Sequence, residues 1–168
     1  MHADTALRRL EALPDLAQAG KRINGLFRLL TYRPLWTEGL ERIKRNKGAG
    51  TPGVDGSTIS TLGETDIETI IQMLVDGTYR PKPVKRVYIP KANGKLRPLG
   101  IPTAQDRLVQ EVVRSILNRI YEPVFSPNSH GFRKKRSCHT ALESFSKRWG
   151  ATKWLVDVDV EGFLDPAS

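Results

Sequence analysis

One cysteine, Cys138, stands among 168 residues, which excludes an intrachain disulfide and suits a reducing, cytoplasmic setting. Histidine is scarce, and His130 and His139 have no metal-ligand spacing to Cys138, which argues against a zinc site or a paired nucleophilic thiol. No apolar run reaches the ~18 residues a spanning helix needs, and no basic-then-apolar leader opens the chain. Acid is also in short supply: 18 Asp and Glu face 27 Lys and Arg, a formal net charge of +9. Such an excess favours a polyanionic partner, because phosphates attract Lys and Arg and release counterions on binding. An anionic membrane surface is the competing partner. Repeats and low-complexity tracts are absent as well, and 39% apolar residues are enough for one folded domain.

What is present reads first as helix. Residues 3–13 place Leu7, Leu10 and Leu13 on one face, and Pro14 is expected to end or kink that helix. A second helical stretch is expected over 15–31. Pro34 permits a new start, and Leu35, Trp36, Leu40 and Ile43 keep the helical period to about Lys44. Residues 46–56 hold four glycines and a proline and must be a loop, entered from the basic end Arg42, Lys44, Arg45 and Lys47. This loop lacks the Gly-Lys-Ser/Thr ending of a phosphate-cradling P-loop, so an ordinary surface loop is the favoured reading. Ile67, Ile70, Ile71 and Leu74 mark a helix over 64–77 that Gly77 stops.

From Tyr79 the period drops to two. Residues 84–89 and 96–101 read as strands joined at Asn93-Gly94, a two-residue hairpin signal, with Pro98 implying an edge or a bulge. Between Arg80 and Arg97 there are seven Lys or Arg and no acid. Lys91, Lys95 and Arg97 around the turn can clamp a triphosphate or a template backbone, or simply keep a solvated edge from pairing. Residues 104–121 form the longest amphipathic helix, apolar at 108, 109, 112, 113, 116, 117, 120 and 121. Arg133 to Arg136 is a basic cluster, either a backbone contact or a solvated patch, and leads into a helix over 137–149 capped by Ser137. A strand is expected over 154–160, its valines on one face and Asp157 and Asp159 on the other. Those carboxylates, beside Glu161 and Asp165, suit a divalent cation and phosphoryl transfer; the bland alternative is a solvated edge strand.

The order of these pieces is more specific than any one of them. Asn46-Lys47-Gly48-Ala49 followed by Pro52-Gly53-Val54-Asp55-Gly56 resembles the N-terminal extension motif of group II intron reverse transcriptases. Tyr79-Arg80-Pro81, the run Ile89 to Thr103, and Asp106-Arg107 resemble the first fingers motif. His130-Gly131-Phe132-Arg133 with Arg136 to Leu142 resembles the second, and Trp154 to Asp165 the first palm motif.

The resemblance implies an α+β fold, the fingers and partial palm of a right-hand polymerase. Residues 1–45 would be an N-terminal helical extension, 46–153 the fingers region and 154–168 the first palm strand. Asp159 would be the first catalytic aspartate, binding Mg2+ together with the backbone carbonyl of Val160. Lys91 and Arg97 would face the phosphates of an incoming deoxynucleoside triphosphate. Lys44, Arg45, Lys47, Lys95, Arg133 and Arg136 would contact intron or template RNA, with primer DNA as a further partner and no membrane.

The chain also departs from the family pattern. No Asp-Asp pair occurs in it, Leu164 stands where the family carries an aromatic, and Lys134-Lys135 replaces a usual Pro-Gly. The expectation is therefore an N-terminal fragment, inactive alone, whose C-terminal half is missing or supplied in trans. The alternatives are a non-catalytic RNA-binding module or a non-functional remnant.

Overall fold

The computed structural model describes residues 3–92, 94–154, 156–158 and 160. In chain order its elements are α1 (Ala3–Gln18), α2 (Arg33–Lys44), α3 (Glu64–Val75), β1 (Lys85–Pro90), β2 (Leu96–Ile101), α4 (Ala104–Tyr121) and α5 (Cys138–Arg148). Short 3-10 turns occupy Leu26–Thr31 and Ile59–Thr61. The result is helix-rich with one two-stranded antiparallel sheet, an α+β chain. It divides into two units, Met1–Val124 and Phe125–Ser168.

In the first unit α1 and α2 pack on α4 and α3 packs on α2 and the Leu26–Thr31 turn; Leu108, Val112 and Ile116 give α4 a fully apolar stripe at helical spacing. Trp36 is completely buried against it, and its indole N–H donates to the Leu30 carbonyl at 2.7 Å, so the ring is packed without an orphaned donor. Leu29, Leu35, Leu40, Ile59, Ile67 and Ile70 complete the same core. Pro sits in the first turn of α2, where its missing N–H costs nothing.

Two helix expectations need correction. α1 does not end at Pro14 but continues to Gln18 and closes with Gly20 in the left-handed region (φ 63°), the Lys21 N–H donating to the Leu16 carbonyl at 2.9 Å. Burial of Ala6, Leu10 and Leu13 offsets the backbone bond that Pro14 forfeits. The buried face is thus Ala6-Leu10-Leu13, and Leu7 is 43% exposed. Consequently no helix spans 15–31; after Gly20 the chain is irregular until the turn at Leu26–Thr31 buries Leu29 and Leu30.

In the second unit Ser137 caps α5, accepting from the Thr140 N–H while the Thr140 hydroxyl accepts from the Ser137 N–H. None of the residues of α5 is buried; the Phe145 and Trp149 rings are tilted by 56° to one another with centroids 5.6 Å apart. The strand expected over 154–160 has no ladder at its described residues. A strand exists only through a paired neighbour. Here Val156, Val158 and Val160 are 85%, 80% and 64% exposed.

Candidate nucleic-acid interface

The basic hairpin is held from its base. Asp106, in the first turn of α4, is 5% exposed and gathers three donors. They are the Tyr79 hydroxyl, the Thr103 hydroxyl at 2.6 Å and the Lys82 backbone N–H at 3.2 Å. Thr103 is also the N-cap, its Oγ1 accepting from the Asp106 N–H. One carboxylate thereby ties the chain entering β1 to the chain leaving β2. Burial, together with the Asp106 carboxylate that its hydroxyl bonds, pushes the Tyr79 hydroxyl well above its ordinary value, so it stays a donor.

The glycine-rich loop is pinned to the same place. Gly53 lies so close to the start of α4 that a Cβ there would meet Thr103 Cα at 2.7 Å, a contact only glycine avoids. Arg107 donates to the carbonyls of Gly48 and Thr51 at 3.0 and 2.8 Å. Asp55 accepts from the Ser57 N–H and hydroxyl and pairs with Lys82 Nζ at 3.1 Å. Ser57 first, and then Lys82, hold its carboxyl down at about 2. Lys82 therefore joins loop, hairpin and helix, by side chain to Asp55 and by backbone to Asp106.

Beside the loop runs a cleft of about 540 Å³ lined by Ile43, Ala49, Arg107, Glu111 and Arg114 among others. Glu111 receives Arg42 at 2.5 Å and both guanidinium ends of Arg114 at 2.7 Å. Burial alone would raise its pKa, but the two arginines outweigh burial and hold it below the ordinary value.

The ladder of the hairpin pairs Lys85 with Ile101, Val87 with Leu99 and Ile89 with Arg97 on one face. The other face pairs Arg86 with Gly100, Tyr88 with Pro98 and Pro90 with Leu96. Alternation carries Lys91 to the face of Ile89 and Arg97, so the register brings the two expected phosphate-facing residues onto one side. The turn is wider than the two residues expected. The Gly94 N–H reaches the Lys91 carbonyl at 3.0 Å and the Lys91 N–H reaches the Lys95 carbonyl at 2.7 Å, with three residues between them. Gly94 takes φ 78°, the left-handed position that closes such a turn. Lys85, Arg86, Lys91, Lys95 and Arg97 are all exposed. So many like charges on a two-stranded ribbon repel one another, a cost an anion would relieve.

Over residues 89–166 the chain matches the family described as reverse transcriptase (RNA-dependent DNA polymerase). It is 48% identical over 141 residues to the group II intron-encoded protein LtrA of Lactococcus lactis subsp. cremoris, across 83% of this chain and 24% of that protein. By sequence the chain is similar to group II intron-encoded reverse transcriptases and maturases. Protein YkfC of Escherichia coli is 40% identical over 153 residues, 86% of this chain and 40% of YkfC. The uncharacterized 91 kDa protein in the cob intron of Schizosaccharomyces pombe is 34% identical over 163 residues, 93% of this chain and 20% of that protein. The chain thus spans from a fifth to two fifths of the length of these relatives.

The other expected site residues sit as follows. Lys44, Arg45 and Lys47 are exposed at and just past the C-terminal end of α2, where cations also complement the helix dipole. In the second unit, Arg133 donates to the Ser126 and Ser129 carbonyls at 2.9 Å and lies over the Phe125 ring at 5.3 Å. Arg136 donates to the Pro127 carbonyl at 2.7 Å. Both guanidiniums therefore hold the loop before α5, and Lys134 and Lys135 are the exposed charges of that cluster. Asp159 lies outside the described residues; Val160 is exposed. Among the described residues no three His, Cys, Asp or Glu gather to hold a metal ion, and no helix is long and apolar enough to cross a membrane. Sequence reasoning passed over the Asp106 anchor and the Arg107 clamp. Asp106-Arg107 entered only as part of a motif match; the local signal of the anchor was Thr103-x-x-Asp106, a cap pattern at the head of the strongest helix.

Proposed function

We propose that this chain forms the fingers and the first palm strand of a group II intron reverse transcriptase, and that its hairpin and glycine-rich loop together hold nucleic acid. The observation that carries this reading is the hairpin: five exposed cations with no acid among them, on a ribbon fastened at its base by Asp106. In this reading residues 1–45 are the N-terminal extension, 46–153 the fingers and 154–168 the first palm segment. Lys91 and Arg97 receive the phosphates of a deoxynucleoside triphosphate, and Lys44, Arg45, Lys47 and Lys95 track the RNA backbone. Arg133 and Arg136 act mainly by shaping the loop they bond.

A divalent ion, Mg2+ in the family resemblance, would neutralise charge on the reacting phosphate oxygens. Asp159 and the Val160 carbonyl are its proposed ligands. The described residues alone do not make that site, so no step is assigned through it. Since these 168 residues contain no Asp-Asp pair, they are expected to bind RNA without extending a primer by themselves.

The test is affinity for intron-type RNA as a function of salt. Several phosphate contacts predict that log K falls with log salt by several units. A slope near zero would dismiss the reading, and magnesium-dependent extension by the purified chain would overturn the inactivity.

A further inference from the structure

We infer that the hairpin face opposite Lys91 and Arg97 is a base-stacking platform for single-stranded RNA, centred on Tyr88. This deepens the proposed function and rests on the hairpin meeting nucleic acid at all. The register puts Tyr88 between Arg86 and Pro90 on its own strand and across from Pro98, with Leu96 one step away. Tyr88 is 58% exposed and Leu96 61%. Nearer the base of the hairpin Val84 lies against Gly100, whose added Cβ would meet Val84 Cγ2 at 2.9 Å.

Charge decides what this apolar face takes. No acid lies between Arg80 and Arg97, and Arg86 shares the strand face of Tyr88. An apolar protein surface would bury those cations without partners, whereas a nucleotide offers a flat base to the ring and a phosphate to the guanidinium. The two faces then divide the work. Lys91 and Arg97 meet phosphate on one side, and Tyr88 stacks a base on the other. The chemistry is sequence-tolerant, because every base has a π-face.

The experiment compares an unstructured oligouridylate with an abasic strand of equal length, bound to the full chain. The intact chain is expected to hold the oligouridylate about tenfold tighter. Tyr88→Ala is expected to erase that advantage and leave abasic binding and the salt slope unchanged, while Tyr88→Phe keeps it. Equal affinity of Tyr88→Ala and the intact chain for the oligouridylate would sink the platform and leave the face to a protein neighbour. Equal loss on both strands would also sink it, since the ring would then merely support the hairpin. Failure of the intact chain to bind either strand would instead bring down the nucleic-acid reading beneath it.

Discussion

Lys135 has φ 59° and Phe132 φ 55°, both in the left-handed region that side chains with a Cβ avoid. Lys135 stands in the pair that replaces the usual Pro-Gly of the family pattern, so glycine would meet no Cβ penalty there. Lys135→Gly should stabilise the loop against local opening by about 0.5–1 kcal/mol, the left-handed penalty less the extra freedom glycine has when unfolded. Amide exchange over the loop before α5 measures it, and faster exchange in the variant would show the backbone there is not strained. At Asp106 the arithmetic runs the other way. In Asp106→Asn the amide oxygen can keep the Thr103 hydroxyl and the Lys82 N–H, but its N–H2 then meets the Tyr79 hydroxyl, a donor now bonded to the carboxylate, and the charge that strengthens all three bonds is gone. A loss of about 1–3 kcal/mol is expected in urea unfolding. Faster exchange over β1 and β2 should accompany it while α2 stays protected. Uniform change across the unit would mean Asp106 supports the fold without specifically anchoring the hairpin.

Elements meet through a few charged contacts whose value differs with burial. Arg33 bridges α2 to Glu64 and Glu68 of α3 at 2.6 and 3.1 Å, but all three are more than half exposed, so the bridge adds little. Glu111 is only 10% exposed in its side chain and links α4 to Arg42 of α2. Its folded pKa lies below the unfolded value, so its contribution is complete above about pH 4.5 and fades as pH falls through the lower folded value. Glu111→Gln should cost about 2 kcal/mol near neutrality, the worth of a charged hydrogen-bonded contact. It should also flatten the acid limb of the stability profile. A parallel limb in wild type and variant would show that other carboxylates set the acid limit.

At the scale of the whole molecule the excess of positive charge becomes a measurable slope. Lys91→Ala and Arg97→Ala should each lower the salt dependence of single-stranded RNA binding by about 0.7. Both residues are exposed and bear on no core, so stability should hold within about 0.5 kcal/mol. An unchanged slope would place the phosphates elsewhere on the chain.

Legibility varied with how local the deciding force was. α4 was readable to its end residues because Thr103 caps it and its apolar pairs recur over five turns, so periodicity and burial agree. The limits of α1 were misread because Pro14 is a strong local signal, overridden by Leu10 and Leu13 packing against α4. The turn of the hairpin was mistaken in width because Asn-Gly serves more than one loop length, and the cross-strand bonds decide between them. The basic character of the candidate site was plain in the sequence, whereas its anchor was not. Asp106 looked like one more first-turn acid until Tyr79, Lys82 and Thr103 were seen converging on it.

By itself, then, the sequence determined the family resemblance, the charge and the helical periods, because these are sums or spacings along the chain. Only the tertiary structure decided that Pro98 lies across from Tyr88, why Gly53 must lie against Thr103, and how loop, hairpin and α4 lock through Lys82. Each of these depends on groups distant in sequence reaching one point. Burial there gives a carboxylate or a missing Cβ an energetic weight that no local pattern carries.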